Sequence, residues 1–262
     1  MNVRFCFSAE QIKNIALVSM VIDHAAVGLI EQSELASGVA WSLCGTAMRL
    51  MGRVAFPLFA FMIAEGAVHT RDRRRYALRL LLLAVISEIP FDLVAGGTWL
   101  FPADQNTVFT LLLGLLAVWV GDLICGSGSG VSYGNRKKTG DGGRKAVGQR
   151  RFPLEYERYI RVLAAVPFGL AADCLKTDYG FMGVLLIVIL YTLRTEPQLR
   201  TAVFVVLLFC MYMDFYGAAA CVAIFLINRY NGEKGSGSGR IFYLFYPLHL
   251  LVIRGIKMAV GL

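Results

Sequence analysis

The sequence predicts an all-α integral membrane protein, a polytopic bundle of about nine transmembrane helices that forms a single domain over residues 1–262. Hydrophobic residues make up 57% of the chain and charged residues only 17%, whereas a soluble domain usually carries about a quarter charged residues. The apolar residues also occur in runs that approach the roughly 20 residues needed to cross a bilayer. This surplus is typical of helices that face lipid, so the bilayer is the first predicted partner.

Nine segments have the apolar character expected of membrane spans. They are residues 10–30, 52–69, 77–95, 106–124, 159–173, 180–194, 199–213, 216–229 and 241–259. The pair 199–213 and 216–229 has an alternative, a single long helix interrupted near Asp214. Residues 38–51 are either a short interfacial helix or the start of a tilted second span.

The basic residues between the spans predict the orientation of the bundle. Lys and Arg follow the second, fourth, sixth and eighth spans, which places those loops and the N-terminus in the cytoplasm by the positive-inside rule. Residues 125–157 are rich in Gly, Ser, Lys and Arg and predict a flexible basic cytoplasmic loop. Because topology accounts for the net charge of +8, nucleic-acid binding is not expected.

The six cysteines do not indicate a metal site or a disulfide framework. They show no CxxC spacing, and most lie in or beside apolar segments. Free thiols in such positions are typical of buried cysteine. We therefore expect no bound metal.

Ionisable residues inside membrane spans are costly and mark candidate functional positions. In the predicted orientation, Asp23, His24, Arg49 and Arg53 fall in the outer third of the membrane. Other polar residues lie at the same level and are candidates for substrate binding: Glu88, Gln105, Asn106, Asp173, Asp178 and Tyr179. A second set is predicted nearer the cytoplasm: Glu65, His69, Tyr246 and His249.

Each of these positions also has a purely structural interpretation. Asp173 and Asp178 could end helices at the interface, and Arg49 could extend its guanidinium to lipid headgroups. Glu65 and His69 have the spacing of a helix-surface pair. For His24 we favour catalysis over burial as a core residue, because an aspartate is adjacent and two arginines share its depth.

Several stretches of the chain resemble the TraX family. They include residues 20–24 (MVIDH), 52–61 (GRVAFPLFAF), 69–71 (HTR), 87–91 (SEIPF), 105–110 (QNTVFT), 178–180 (DYG), 230–232 (YNG) and 243–249 (YLFYPLH), together with Glu65, Gly66, Tyr76, Arg79 and Leu80. Each is weak alone, but they follow one another along nearly the whole chain. The basic loop after residue 125 looks like an insertion.

The resemblance implies an acyl-CoA-dependent acetyltransferase in the bacterial inner membrane. The family's named activity is acetylation of the N-terminal amine of a conjugative pilin, and the family is similar to membrane acyltransferases that modify sugars on the far side of the membrane. The implied donor is acetyl-CoA, and the implied acceptor is an amine or a hydroxyl. Peptide and glycan acceptors both remain open, as does the oligomeric state.

Depth and chemistry together predict the roles of the catalytic residues. An amine or hydroxyl that attacks a thioester must lose a proton, and a neutral imidazole suits that step near pH 7. We expect His24 to be the general base and Asp23 to orient it. Arg53 and Arg49 would stabilise the oxyanion or hold an acidic group. An acetyl-histidine intermediate is the less favoured alternative.

The donor is expected to bind from the cytoplasmic side. Its phosphates would contact the arginines that follow the second span, which are Arg71, Arg73, Arg74 and Arg75. Tyr246 and His249 would line the path of the long thioester arm as it rises to His24.

Two other classes of protein carry similar residues. A proton-coupled transporter also uses intramembrane His, Arg and Asp, but this chain shows no internal repeat and no pair of Gly/Pro-broken helices. A membrane scaffold without catalytic activity would not need charges gathered at one depth.

Overall fold

The computed structural model describes residues 6–33, 37–126, 152–235 and 239–261, and no strand forms among them. The first helices are α1 (Ala9–Ala25), α2 (Val39–Gly52), α3 (Ala55–His69), α4 (Arg73–Ala95), α5 (Thr107–Cys125) and α6 (Leu154–Cys174). They are followed by α7 (Gly180–Thr192), α8 (Pro197–Tyr212), α9 (Phe215–Ala220), α10 (Val222–Asn228) and α11 (Gly239–Val260). All nine predicted spans therefore coincide with helical segments.

Helix α1 begins at a capping box and does not stop at its predicted end. The Ser8 hydroxyl accepts from the backbone N–H of Gln11, whose side chain accepts in turn from Ser8 N–H, so two N–H groups at the helix start are satisfied. A π-helical segment, Ala26–Glu31, then carries the helix onward. The two together form one long element.

Helices α2 and α3 return along the whole length of α1. Gly45 packs against Ile30, and Gly52 packs against Asp23 so closely that a Cβ would collide with that carboxylate. The backbone bends only slightly between α2 and α3, at Arg53 and Val54. Residues 38–51 thus belong to the start of a second long helical stretch.

Helix α7 lies at the centre of the bundle. Its Val184, Leu186, Ile187 and Leu190 are almost completely buried, and α3, α5, α6 and α8 pack around it. On one side, Gly114 of α5 allows the Ile187 side chain to approach the α5 backbone.

The chain reverses direction between α8 and α9. Met213 has a φ of 55°, and the Asp214 carboxylate accepts from the backbone N–H of Tyr216 to begin α9. The end of α10 returns to the start of α8, where Arg200 Nη2 donates to Asn228 Oδ1 at 2.7 Å. The segment 199–229 is therefore a pair of antiparallel helical arms rather than one helix.

Helix α11 runs in the same direction as α1 and α4. Near its end, Lys257 Nζ contacts the side chain of Gln32 at 3.3 Å, and Gln32 Nε2 donates to the Ala95 carbonyl at 2.7 Å. The ends of the three elements thus meet at one level. This agrees with the predicted alternation, in which all three run from the cytoplasm outward.

Four described helical stretches are long and apolar enough to cross a membrane, judged by length and composition: Ala9–Glu31, Val39–His69, Thr107–Cys125 and Tyr243–Val260. Three shorter apolar helices accompany them: Gly180–Thr192, Pro197–Tyr212 and Phe215–Asn228. Apolar side chains such as Leu82 and Ile86 are exposed along α4, as expected for a surface in contact with lipid. The chain is thus an all-helical protein with several potential spans, and nine crossings remain a prediction.

The predicted loop 125–157 is shorter than expected. Helix α5 includes Cys125, and α6 begins at Leu154. The start of α6 is stabilised because the N–H groups of Tyr156 and Glu157 both donate to the Pro153 carbonyl. The remainder, 127–151, lies outside the described residues.

Candidate functional site

A cavity of about 930 Å³ extends between α1, α3, α4, α5 and α11. One end, called here the exposed end, is lined by Lys13, Glu65, His69, Tyr76, Arg79, Tyr230, Lys234 and Tyr243. The other, the buried end, is lined by Asp23, His24, Gly52, Thr107, Asp178, Tyr179 and Tyr246. Between them the walls are apolar and include Leu17, Met20, Phe59, Met62, Leu83 and Leu111. The cavity thus joins a polar surface region to the predicted catalytic histidine.

His24 and His249 form a hydrogen-bonded pair beside the buried end. His24 Nδ1 lies 2.8 Å from His249 Nε2, and the ring centroids are 5.0 Å apart at an interplanar angle of 24°. His249 Nδ1 lies 3.1 Å from the Phe245 carbonyl oxygen of the preceding helical turn. Tyr246 packs edge-on against both imidazoles.

The expectation that His249 and Tyr246 lie far below His24 is therefore wrong. Lys257 on α11 contacts Gln32 at the end of the π-helical segment. His249 precedes Lys257 by eight residues, and His24 precedes Gln32 by eight, so the two histidines lie at similar distances from that contact, and their own hydrogen bond places them at one level. Depth estimated from span boundaries missed this register because such boundaries err by several residues.

Asp23 has a different partner from its neighbour. Its carboxylate accepts from Arg49 Nη1 at 2.5 Å, and Arg49 Nε lies 3.3 Å from Glu31. The side chains of Asp23 and Arg49 are only 15% and 17% exposed. Asp23 was expected to orient His24, but the hydrogen-bonding partner of His24 is His249, because successive helical side chains diverge by about 100°.

Arg53 lies beyond Asp23, next to aromatic rings. Its guanidinium carbon is 5.3 Å from the Tyr212 ring centroid and 5.0 Å from that of Tyr216, which are cation–π distances. Arg49 and Arg53 thus both lie near Asp23, consistent with the prediction that they share one depth. Neither belongs to the cavity lining, whereas Asp23 and His24 both do.

Two of the six predicted substrate-binding residues line the buried end. The Asp178 carboxylate accepts from the Thr107 hydroxyl at 2.6 Å. The Tyr179 ring stacks on Phe56 with centroids 3.7 Å apart. Both residues lie in the turn that connects α6 to α7, just before Gly180.

The other four predicted substrate residues make local structural contacts. Glu88 accepts from both nitrogens of Asn106, whose side chain also caps α5. Gln105 pairs through its backbone with Lys176 and Asp178. Asp173 is exposed and accepts from the Phe181 N–H at 2.7 Å. None of the four lines the cavity. For Asp173, the structure agrees with the alternative interpretation, in which this residue lies at the end of a helix.

The arginines predicted to hold the donor do not line this cavity. Arg73 instead donates to Asp122 at 2.7 Å in a buried ion network. Asp122 also accepts from Arg161 and from the Tyr191 hydroxyl, and Arg161 pairs with Glu157. Arg74 and Arg75 are exposed, and Arg75 pairs with Asp72. Arg71 and Arg75 line a neighbouring depression that shares Thr70 and Arg79 with the exposed end of the cavity.

The cationic side chains at the exposed end are Lys13, Arg79 and Lys234. The basic residues between the spans include Lys234, but they were used to predict orientation and not a donor site. Tyr76, Arg79, Tyr230 and Tyr243 all lie in the stretches that carry the family resemblance, which was the available signal. Glu65 and His69 also lie at the exposed end. They form the predicted i, i+4 pair, with 3.3 Å between His69 Nε2 and the Glu65 carboxylate.

Comparison with known proteins places the chain in a family. Residues 8–125 and 153–257 match the family described as TraX protein, and the gap between them coincides with the predicted insertion. A "Probable fimbrial assembly protein FimC, serogroup H1" from Dichelobacter nodosus is 25% identical over an alignment of 276 positions that covers 96% of each chain. No solved structure matches the chain. Since the family match covers most of its length, the chain belongs to the TraX family.

Proposed function

We propose that this protein is a membrane acetyltransferase that moves an acetyl group from acetyl-CoA to an amine or hydroxyl acceptor, with His24 as general base. The observation that carries the proposal is the continuous cavity between the basic, tyrosine-rich exposed end and His24. Acetyl-CoA has a matching shape and charge distribution, since its charged nucleotide portion is joined by a long arm to an uncharged thioester.

The donor's phosphates bind at the exposed end in this proposal. Lys13, Arg79 and Lys234 supply the charge, and the rings of Tyr76, Tyr230 and Tyr243 offer surfaces for stacking a purine. Along α1, the eleven residues from Lys13 to His24 rise about 16 Å. The apolar walls between the two ends suit an extended, uncharged arm. These residues replace Arg71, Arg73, Arg74 and Arg75 as the proposed phosphate contacts.

The reaction takes place at the buried end. The acceptor nitrogen or oxygen attacks the thioester carbonyl carbon while His24 removes its proton. The carbon–sulfur bond then breaks, and the departing thiolate takes that proton from His24. The alternative is transfer through an acetyl-histidine, in which the imidazole itself attacks first.

A peptide N-terminal amine is the first acceptor to test. The family's named activity acts on a pilin amine, and the relative from Dichelobacter nodosus is named as a probable fimbrial assembly protein. The carboxylates of Asp23 and Asp178 also line the buried end, where they would attract an acceptor that arrives as an ammonium ion. The ammonium ion first releases one proton to solvent, and the neutral amine then attacks while His24 removes the second proton. A sugar hydroxyl remains the alternative acceptor.

The test is transfer of labelled acetyl from acetyl-CoA to a pilin N-terminal peptide by the purified protein in detergent. The same peptide with a blocked N-terminus, and a glycan, serve as alternative acceptors. His24→Gln keeps a polar side chain but removes the base, so we expect turnover to fall by about 10²- to 10⁴-fold while donor binding persists. Near wild-type turnover in His24→Gln would rule out the general-base role.

The donor site is tested separately with the exposed-end cations. We expect Arg79→Gln and Lys234→Gln each to raise the Michaelis constant for acetyl-CoA by about tenfold or more, since a hydrogen bond to a charged group contributes roughly 1.5–3 kcal/mol. Arg74→Gln is the matched control, because Arg74 is exposed and lies outside the cavity. An increase in Arg74→Gln alone would return the phosphates to the originally predicted arginine cluster.

A further inference from the structure

We infer that His249 is a positioning residue that holds His24 in the one neutral tautomer able to act as a base toward the cavity. The inference deepens the proposed function, on which its catalytic part rests. The tautomer itself follows from the geometry of three groups on α1 and α11, which are the two imidazoles and the Phe245 carbonyl.

The chain of hydrogen bonds has one consistent direction. A carbonyl oxygen can only accept, so His249 Nδ1, 3.1 Å from the Phe245 oxygen, carries the proton. In a neutral imidazole the other nitrogen then has a lone pair, which makes His249 Nε2 the acceptor. At 2.8 Å from that atom, His24 Nδ1 must be the donor. His24 Nε2 is consequently left unprotonated.

The opposite direction is disfavoured by the same groups. If His249 Nε2 donated to His24, a neutral His249 would turn a lone pair toward the carbonyl oxygen of Phe245. A doubly protonated His249 would avoid that contact but would place a cation where the side chain is only 6% exposed, and burial of an unpaired charge is costly. Neutral His249 as acceptor gives a partner to both of its own ring nitrogens, to His24 Nδ1 and to the Phe245 carbonyl.

Ring packing holds the acceptor in place. The Phe245 and His249 rings stack nearly parallel, with centroids 5.6 Å apart and an interplanar angle of 9°. The two imidazoles lie edge to edge with an interplanar angle of 24°, and Tyr246 contacts both edge-on. Since Nδ1 of His24 is occupied by His249, Nε2 is the ring nitrogen left for the cavity that His24 lines.

In catalysis the two rings then have different roles, with His24 as the base and His249 as its hydrogen-bond acceptor. When His24 Nε2 takes the acceptor's proton, the imidazole becomes a cation, and its Nδ1–H bond to His249 becomes a stronger charge-assisted bond. His249 touches neither donor nor acceptor in this scheme. It should therefore affect turnover without affecting donor affinity.

Nitrogen-15 NMR of the full-length protein tests the tautomer without any assay of activity. The chain has three histidines, so ¹⁵N-histidine labelling gives three rings, and spectra of His69→Gln and His249→Phe assign them. We expect His24 to show a protonated Nδ1 and a pyridine-type Nε2. A His24 ring with the proton on Nε2 would overturn the inference, whatever the fate of the proposed acetyl transfer.

Kinetics test the positioning role with two variants. His249→Phe keeps a flat ring against Phe245 but removes the acceptor, and we expect kcat to fall by about 10- to 100-fold, as when the partner that orients a functional histidine is lost. His249→Gln restores an acceptor near the former Nε2 and should recover much of that loss. The Michaelis constant for acetyl-CoA should change in neither variant.

Leu248→Phe, on the exposed face of α11, is the control for added aromatic bulk and should retain full activity. Wild-type turnover in His249→Phe would overturn the inference. So would a His249→Gln enzyme as impaired as His249→Phe with equal thermal stability, or a raised donor Michaelis constant, which would return His249 to donor binding. Absence of acetyl transfer in the wild type would instead refute the proposed function and leave the NMR result standing.

Discussion

At the scale of single residues, the buried end depends on close packing as much as on chemistry. Gly52 leaves room for Asp23, whose carboxylate then reaches Arg49. Arg49 in turn spans Asp23 and Glu31, so one cation ties α2 to the last part of α1 and to the π-helical segment. A glycine and an ion pair therefore set the distance between two elements that border the site.

Gly52→Ala tests this packing. A methyl group there would collide with the Asp23 side chain, which must move away from Arg49. Overpacking of this kind typically costs about 1–3 kcal/mol, so we expect a lower melting temperature in detergent together with reduced acetyl transfer. Thermal denaturation followed by tryptophan fluorescence or by a thiol-reactive dye gives the melting temperature.

Gly255→Ala is the matched control for that substitution. Gly255 also lies in a helix, but no atom lies within 4 Å of the position that its Cβ would occupy. Alanine favours the helix by about 1 kcal/mol over glycine, so we expect unchanged or slightly higher stability. Equal melting temperatures for Gly52→Ala and wild type would show that α2 can shift without cost.

At the scale of helices, a buried ion network holds the exposed-end half of the bundle together. Asp122 on α5 accepts from Arg73 on α4, from Arg161 on α6 and from the Tyr191 hydroxyl on α7. Glu157, 4% exposed, balances the second arginine. Four helices thus meet at one carboxylate. Because Arg73 is held in this network, its guanidinium is not exposed at the surface to bind a ligand.

Arg73→Gln should therefore act on stability. Removing one partner from a buried pair leaves its counter-ion uncompensated, which typically costs about 3–5 kcal/mol, and the remaining Arg161 contact should moderate that loss. We expect a lower melting temperature with an unchanged Michaelis constant for acetyl-CoA in the surviving folded protein. A raised Michaelis constant without loss of stability, compared with Arg74→Gln as control, would instead place Arg73 in the donor site.

At the scale of the whole molecule, α1, α4 and α11 run in parallel and end at one level, marked by Gln32, Ala95 and Lys257. The exposed end of the cavity lies at the opposite level, near the starts of the same helices. In the orientation predicted from the basic loops, the exposed end faces the cytoplasm, where acetyl-CoA is available.

Cysteine labelling in intact cells tests this orientation in a variant without the six native cysteines. Gly140→Cys should resist an impermeant thiol reagent, because its loop shares the side of the basic residues. Thr98→Cys, in the exposed turn after α4, should react with the same reagent. Reaction at residue 140 and protection at residue 98 would invert the bundle and place the donor cavity on the wrong side.

The sequence by itself determined much of the architecture. Apolar runs located nine of the described helical segments, because the length of a hydrophobic segment is a local property, while residues 38–51 were left between two interpretations. The basic residues predicted alternating directions, and the parallel course of α1, α4 and α11 agrees. His24 and Asp23 were identified because charge inside an apolar run stands out without any knowledge of its neighbours.

Only the tertiary structure decided which of these residues meet. His24 and His249 are separated by 225 positions, and their contact depends on the register of α11 against α1, which no local pattern contains. Arg73 and Arg79 lie in similar basic sequence at the start of α4. Because they are six residues apart, they lie on different faces of the helix, so Arg73 contacts Asp122 and Arg79 lines the cavity. The position of a residue in a membrane segment predicts its depth only to within a turn or two of helix. Which side chains contact one another in a packed interior depends on geometry within a few tenths of an ångström.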